Sequence, residues 1–444
     1  MTTGKPRRAL AVAATSGAAA LLASCTTVPA PARPPAPTKP SSLPAATSAA
    51  PAPFPSTVPA RSLKVPGCSV AVVPARTLTG VRPVMTSVPP APFGVITSPD
   101  GRWIFVSDSH GVTVLPAGAA SPAVVGSVSL PGGQQGLGEA LTPDGRYLLV
   151  AATSETAVLN VARLESGSAP AVVGSLPAPG GAIEVATSAD GHYVFTSLED
   201  TGAVQVSDLA RARSAGFRAS GVTVGRVPAA FAPVGEAVSP NGRWLYATSE
   251  ATPSGSSRRP VTGRRCPGDP DSIPGVVRVI GIAAAERDPV TAVRATAAAG
   301  ASPVRVVLSP GAAVAWVTAR GSDALLGFAT SRLTSARPAL VADVPVGSAP
   351  VGVVLVDGGR LAVVADSNRF AGRGAQWLSV VSIRDTLRGQ PALVGQIRAG
   401  SFPRQFALSP DGRTLYVTNF ASRQLETIQV AGLVSAAKPG TAKR

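Results

Sequence analysis

The 444-residue chain has only two histidines, three cysteines and two methionines. His110 and His192 stand far apart in the sequence, so a histidine-based zinc centre is not expected. No Ser-His-Asp spacing, P-loop or dinucleotide glycine motif occurs in strand–helix context. Aromatic residues make up 4% of the chain, which leaves few platforms for stacking nucleic-acid bases. Lysine appears only at 5, 39, 64, 438 and 443, so the formal charge of +16 is almost all arginine. Beyond the first 25 residues no apolar run is long enough to cross a bilayer. No stretch carries a sustained helical period. What remains is rich in Ala, Val, Gly and Pro, and it repeats.

The repeat is clearest in SPDGRTLYVTN from Ser409. Its relatives are SPDGRWIFVSD from Ser98, TPDGRYLLVAA from Thr142, SADGHYVFTSL from Ser188, SPNGRWLYATS from Ser239, SPGAAVAWVTA from Ser309 and LVDGGRLAVVAD from Leu355. The second residues fall at 99, 143, 189, 240, 310, 356 and 410. Spacings of 44, 46, 51, 70, 46 and 54 residues, built of strand-like units, signify a β-propeller with one blade per repeat. Asp-Gly and Asn-Gly are strong hairpin signals, because a tight primed turn needs positive φ. They should join an inner strand to a second strand. One second-strand position reads Phe105, Leu149, Phe195, Tyr246, Trp316, Val363 and Tyr416. Large and apolar in every unit, it should face the neighbouring blade. Third and fourth strands follow, such as AVLNV from Ala157 and VVGSLPA from Val172. The expected fold is all-β, a seven-bladed propeller closed by the N-terminal strands within 69–90. Two segments compete for the third strand of the closing blade, Ser69–Val73 and Gln424–Val430.

The phrase Tyr416-Val417-Thr418-Asn419 resembles the YVTN-type seven-bladed propeller repeat of bacterial envelope and surface-layer proteins. That family is related in fold to the propeller lactonases. The likeness spans roughly residues 66 to 432 as a repeat. It implies a fold and an envelope setting; chemistry must be argued from a site.

Residues 1–24 read as a signal peptide: Lys5, Arg7 and Arg8 precede an apolar run from Ala9 to Ala23. Leu22-Ala23-Ser24-Cys25 resembles the bacterial lipobox, which implies lipidation of Cys25. Residues 25–63 are dominated by Pro, Ala, Ser and Thr and form a tether. At ~3.1 Å per residue such a tether reaches on the order of 100 Å. The propeller is assigned to 64–434 and a disordered basic tail to 435–444. The expected address is the extracytoplasmic face of the cell membrane, lipid-anchored, with the chain monomeric.

With Cys25 lipidated, Cys68 and Cys266 remain, and an oxidising compartment favours pairing them. The longest spacing arises from an insertion at Ala251 that carries Cys266. Cys68 and this insertion belong to the same face of the disc, where the inner strands also start. A Cys68–Cys266 disulfide would pin the insertion across that face.

Charged residues at the starts of the inner strands mark a candidate funnel: Glu139, Glu184, Glu236, Arg305 and Arg404, with Gln405. Three carboxylates on consecutive blades could hold calcium or another divalent cation. Glu184, however, lies one position out of phase with the other two, and Glu–Arg neutralisation is the plainer reading. Loop residues Arg258, Arg259, Arg264, Arg265, Arg369 and Phe370 complete the candidate ligand-binding set, since arginine forks suit carboxylates and phosphates. The leading functional reading is a non-catalytic binding or scaffolding module for an envelope protein, wall polymer or anionic ligand. The alternatives are a metal-dependent lactonase-like hydrolase and nucleic-acid binding by the basic face.

Overall fold

The computed structural model describes residues 58–68, 75–118, 122–217, 221–251, 273–369 and 376–438. Cys25, Cys266, Arg258, Arg259, Arg264, Arg265 and Phe370 lie outside the described residues, as do Ser69–Val73 and the basic tail beyond 438. The described strands form seven four-stranded antiparallel sheets. The inner strands, in blade order, are Val95–Thr97, Glu139–Leu141, Ala182–Thr187, Phe231–Val238, Pro303–Leu308, Pro350–Val356 and Pro403–Leu408.

The repeated phrase builds one knot per blade. In blade 1 Ser98 Oγ donates to Asp100 Oδ1 (2.6 Å) and accepts from the Trp103 amide (2.9 Å). Asp100 Oδ1 accepts from the Arg102 amide at 3.0 Å. Thr142, Ser188, Ser239 and Ser409 repeat the hydroxyl contacts with Asp144, Asp190, Asn241 and Asp411. The turn differs from the expected primed pair. The Gly101 amide bonds Ser98 O, and the Ser98 amide bonds Trp103 O. Positive φ is confined to the glycine, 70° at Gly101 and 71° at Gly412. Proline in the second turn position fixes φ for a wider loop of this kind. Ser98→Ala removes the hydroxyl at the centre of the knot. It is expected to cost about 1 to 2 kcal/mol in denaturant unfolding.

The large apolar column of the second strand faces the neighbouring blade as expected. Phe105, Leu149, Phe195, Tyr246, Trp316, Val363 and Tyr416 are each almost wholly buried. Each belongs to a different apolar cluster, so each blade contact has its own core. Short helices were not expected, yet they connect third to fourth strands in five blades, for example Val161–Ser166 and Ile383–Arg388, and a sixth, Val430–Ala437, follows the third strand of the closing blade. They are too short to show a helical period. Local chemistry sets two of them: Asn160 and Ser382 cap the first turns by accepting from the Arg163 and Asp385 amides.

The ring closes by pairing Val84–Ser87 with Gln424–Gln429, in register from Val84–Thr427 to Ser87–Gln424. The closing blade takes its third strand from the C-terminal candidate and its fourth from the N-terminal segment. Upstream chain straps the rim. The Leu78 amide bonds Gln396 O on blade 6, at 2.8 Å. The Leu63 amide bonds Leu340 O on blade 5, also at 2.8 Å. Leu63 and Val65 pack on the core between blades 4 and 5, and Val58 on the core between blades 5 and 6. Residues 58–63, assigned to the tether by composition, are therefore docked on the propeller.

Candidate functional site

Inner strands start, and second strands end, on one face of the disc: Pro303 pairs with Ala319, and Pro403 with Asn419. Hairpin knots and helical turns occupy the other. Around the axis, second-strand hydroxyls stitch blade 4 to blade 5, blade 5 to blade 6 and blade 7 to blade 1. Thr248 Oγ1 donates to Val304 O (2.7 Å), Thr318 Oγ1 to Val351 O (2.8 Å) and Thr418 Oγ1 to Phe93 O (3.0 Å). The last of these crosses the closure from blade 7 to blade 1. Thr318 and Thr418 also accept from the Arg305 and Gln405 amides, at 3.0 and 3.1 Å. This fixes the inner-strand residues that face the axis.

Three of these side chains meet across the ring. Arg305 Nη1 contacts Glu184 Oε2 as a buried ion pair and donates to Val234 O at 2.8 Å. Gln405 Nε2 donates to Glu184 Oε2 at 3.2 Å. Burial raises the Glu184 carboxyl above the ordinary carboxylate range, while Arg305, Arg404 and Gln405 pull it back. A Cβ at Gly138 would lie 2.5 Å from Glu184 Oε2, so glycine is needed there to seat the carboxylate. Blades 3, 5 and 7 thus fill the axis with a charge-neutralised cluster.

Glu139 and Glu236 sit one strand position away, and all four of their carboxylate oxygens are buried without a partner. Burial, then repulsion from Glu184, raises both well above the ordinary carboxylate range, with Asp108 adding to the effect on Glu139 and Arg305 easing Glu236. The pleat separates them from Glu184 as the one-residue phase difference requires. Among the described residues no group of three or more His, Cys, Asp or Glu is gathered so as to hold a metal ion. Glu184 turns to Arg305, so among the described residues the three carboxylates on consecutive blades are not gathered into one group.

Above the axis cluster lies a cationic and aromatic mouth. The Arg404 guanidinium stacks on Phe93, 3.6 Å from the ring centroid. It lies 5.7 Å from both Phe402 and Phe420, whose rings are 5.2 Å apart. Arg369 also lies over the Phe402 ring, 5.6 Å from its centroid. Arg404 Nε is buried without an acceptor. Burial, with repulsion from Arg305 and Arg369, brings the Arg404 pKa down to about 9, so it stays charged at neutral pH. Beside it, Arg320 grips Glu250 through two bonds, 2.8 and 3.0 Å. Arg369, Arg404 and Gln405 of the sequence-derived set are thus at the mouth or axis. Phe93, Phe402 and Phe420 were missed. Phe402 holds a positive φ of 56° just before Pro403, and Ala91, Ala232, Ser302 and Ala349 do the same before their prolines. This recurring residue-Pro pair was the available signal for the rim of the mouth.

No known family's profile matches the chain, and no curated protein matches it. Solved structures do. Kuenenia stuttgartiensis hydrazine synthase aligns at 18% identity and a TM-score of 0.57, over 77% of this chain and 96% of that one. A chain of the mitotic checkpoint complex aligns at 15% identity and 0.57, over 83% and 98% respectively. The Cps50 (Swd1) β-propeller domain of Myceliophteria thermophila aligns at 12% and 0.54, over 78% and 99%. At such identities the likeness defines the fold. The protein is a seven-bladed β-propeller.

Proposed function

We propose that the protein is a non-catalytic binding or scaffolding module, held at the extracytoplasmic face of the cell membrane by a lipid on Cys25, which meets its partner with the mouth face. The observation that carries this reading is the contrast along the axis. Three of its polar side chains are turned on one another in the Glu184–Arg305–Gln405 cluster, whereas Arg404 stacks on Phe93 with its Nε free of any acceptor. The strap supports a display role. Arg332, in the helical turn of blade 5 on the hairpin face, donates to Arg61 O (2.8 Å) and Pro59 O (2.5 Å). The docked chain thus meets the propeller at the rim opposite the mouth. Cys68 does not stand as a free thiol, which supports pairing with Cys266 and an insertion pinned over the same face. A lactonase-like role would need gathered ligand carboxylates, and no such group occurs among the described residues.

The test is photo-crosslinking in cells, from the exposed mouth position 401 and the exposed hairpin-face position 102 of the full chain. Adducts from Ser401 and not from Arg102 are expected, with release from the membrane fraction in Cys25→Ser. Adducts from Arg102 alone would overturn the face assignment, and retention of the serine variant would overturn the anchor.

A further inference from the structure

We propose that the mouth is a carboxylate-binding site whose central group is Arg404, taking ligands in which the carboxylate is joined to an aromatic or aliphatic group. The inference rests on the mouth-face reading above and names the ligand class of that site.

The first argument is an unmatched charge. Glu184 is in contact with Arg305, and Glu250 is held by both arms of the Arg320 guanidinium. Glu199 is near enough to feel Arg404 and Arg320, but among the described residues it forms no ion pair with Arg404. Arg404 is therefore a cation with a buried Nε and no ion-pair partner of its own among the described residues. A buried charge left in this state is costly unless something pairs with it. No fold requirement explains its retention here: the corresponding inner-strand positions are Phe93, Leu137, Ile183, Val234, Val304 and Val351. Six blades use an apolar residue where blade 7 uses arginine.

The second argument is geometry. A guanidinium stacked at 3.6 Å on Phe93 has one face covered, while its N–H edges lie in the plane of the group. Those edges match the two oxygens of a carboxylate, and stacking fixes the plane before the ligand arrives. Phe93 is itself fixed, since its backbone carbonyl accepts the Thr418 hydroxyl across the ring closure. Phe402 and Phe420 pack together beside the guanidinium, where the apolar part of a ligand would rest. Arg369, also over Phe402, adds positive potential at the same place. The bound anion would sit in a poorly solvated mouth, where a charge-assisted hydrogen bond is stronger than in water.

Calorimetric titration of the full chain with phenylacetate, 2-phenylethanol and inorganic phosphate tests this. Saturable binding of phenylacetate, with none of the neutral alcohol, is expected. Arg404→Met should weaken it roughly ten- to a hundred-fold, with unfolding stability equal to or above wild type. Arg404→Lys should recover part of the affinity, since charge returns without the planar fork. Arg423→Gln, an arginine on the same face outside the phenylalanine cluster, should bind like wild type. Phosphate binding as tight as phenylacetate would overturn the carboxylate assignment. Full affinity in Arg404→Met would overturn the site, and so would clear destabilisation of that variant, which would make Arg404 structural. Crosslinking from Ser401 without any phenylacetate binding would overturn this inference while leaving the mouth-face function standing.

Discussion

Between pH 5 and pH 8 the protein is expected to lose stability, and Glu426→Gln is expected to remove roughly 3 kcal/mol of that loss. Glu426 lies in the third strand of the closing blade, opposite Met85 of the N-terminal strand. Its Oε2 accepts from Asn419 Nδ2 at 2.9 Å and from the Gly400 amide at 3.3 Å, while Oε1 is buried without a partner. Burial outweighs both hydrogen bonds and raises the carboxyl from the ordinary 4.5 to about 7. The sign follows from proton counting. From about pH 4.5 to about pH 7 the folded state holds a proton that the unfolded chain has released, so stability falls as pH rises. Below that window both states are protonated, and above it both are ionised and the penalty is complete. A rise of this size corresponds to roughly 3 kcal/mol. Glutamine keeps an acceptor for Asn419 and removes the charge. Glu139, Glu236 and Asp366 are also raised by burial, so the variant should flatten the profile in part. Denaturant melts at pH 5, 6.5 and 8 check this; a wild type as stable at pH 8 as at pH 5 would refute it.

Arg305→Met is expected to be the more damaging change at pH 8, by about 3 to 5 kcal/mol. It strips Glu184 of its ion pair and leaves the Val234 carbonyl without its donor. The stranded carboxylate would keep its repulsion from Glu139 and Glu236, with Gln405 as its remaining hydrogen-bond donor. At pH 5 the cost should shrink, because Glu184 can take up a proton. The double variant Arg305→Met/Glu184→Leu should recover much of the loss at pH 8, since removing both charges of a buried pair is far cheaper than removing one. Denaturant melts of the two variants at both pH values are the measurement. Equal costs in the single and double variants would show that the pair does not act as a unit.

The repeat was legible because each Ser/Thr-Pro-Asp-Gly phrase encodes its own knot within a few residues. Ser309 keeps its part of the knot, accepting from the Val314 amide at 3.0 Å, although the turn aspartate is missing. The column from Phe105 to Tyr416 was legible because one position per blade must fill one gap between blades. The phase difference of Glu184 was legible too, from the two-residue period of a strand. Its partner was not. Glu184 and Gln405 are 221 residues apart, and only ring geometry sets blade 3 against blades 5 and 7. Phe93 and Phe402 escaped notice because each stands beside a proline in a turn, and Phe420 because it follows the second strand in a loop, where an aromatic residue reads as local packing. The short helices escaped because six residues contain fewer than two turns.

Closing the ring with Val84–Ser87 against Gln424–Gln429 also sets an order of events. These strands lie more than three hundred residues apart, and the first leaves the ribosome long before the second exists. Until the last strand appears, Val84–Ser87 has no partner and blades 1 and 7 have no shared core. The finished disc is therefore a late product of synthesis, however early single blades form. A chain halted before Gln424 would hold six blade sheets with open edges at both ends, a form prone to pair with other chains. In this architecture one late strand decides whether the preceding blades become one body.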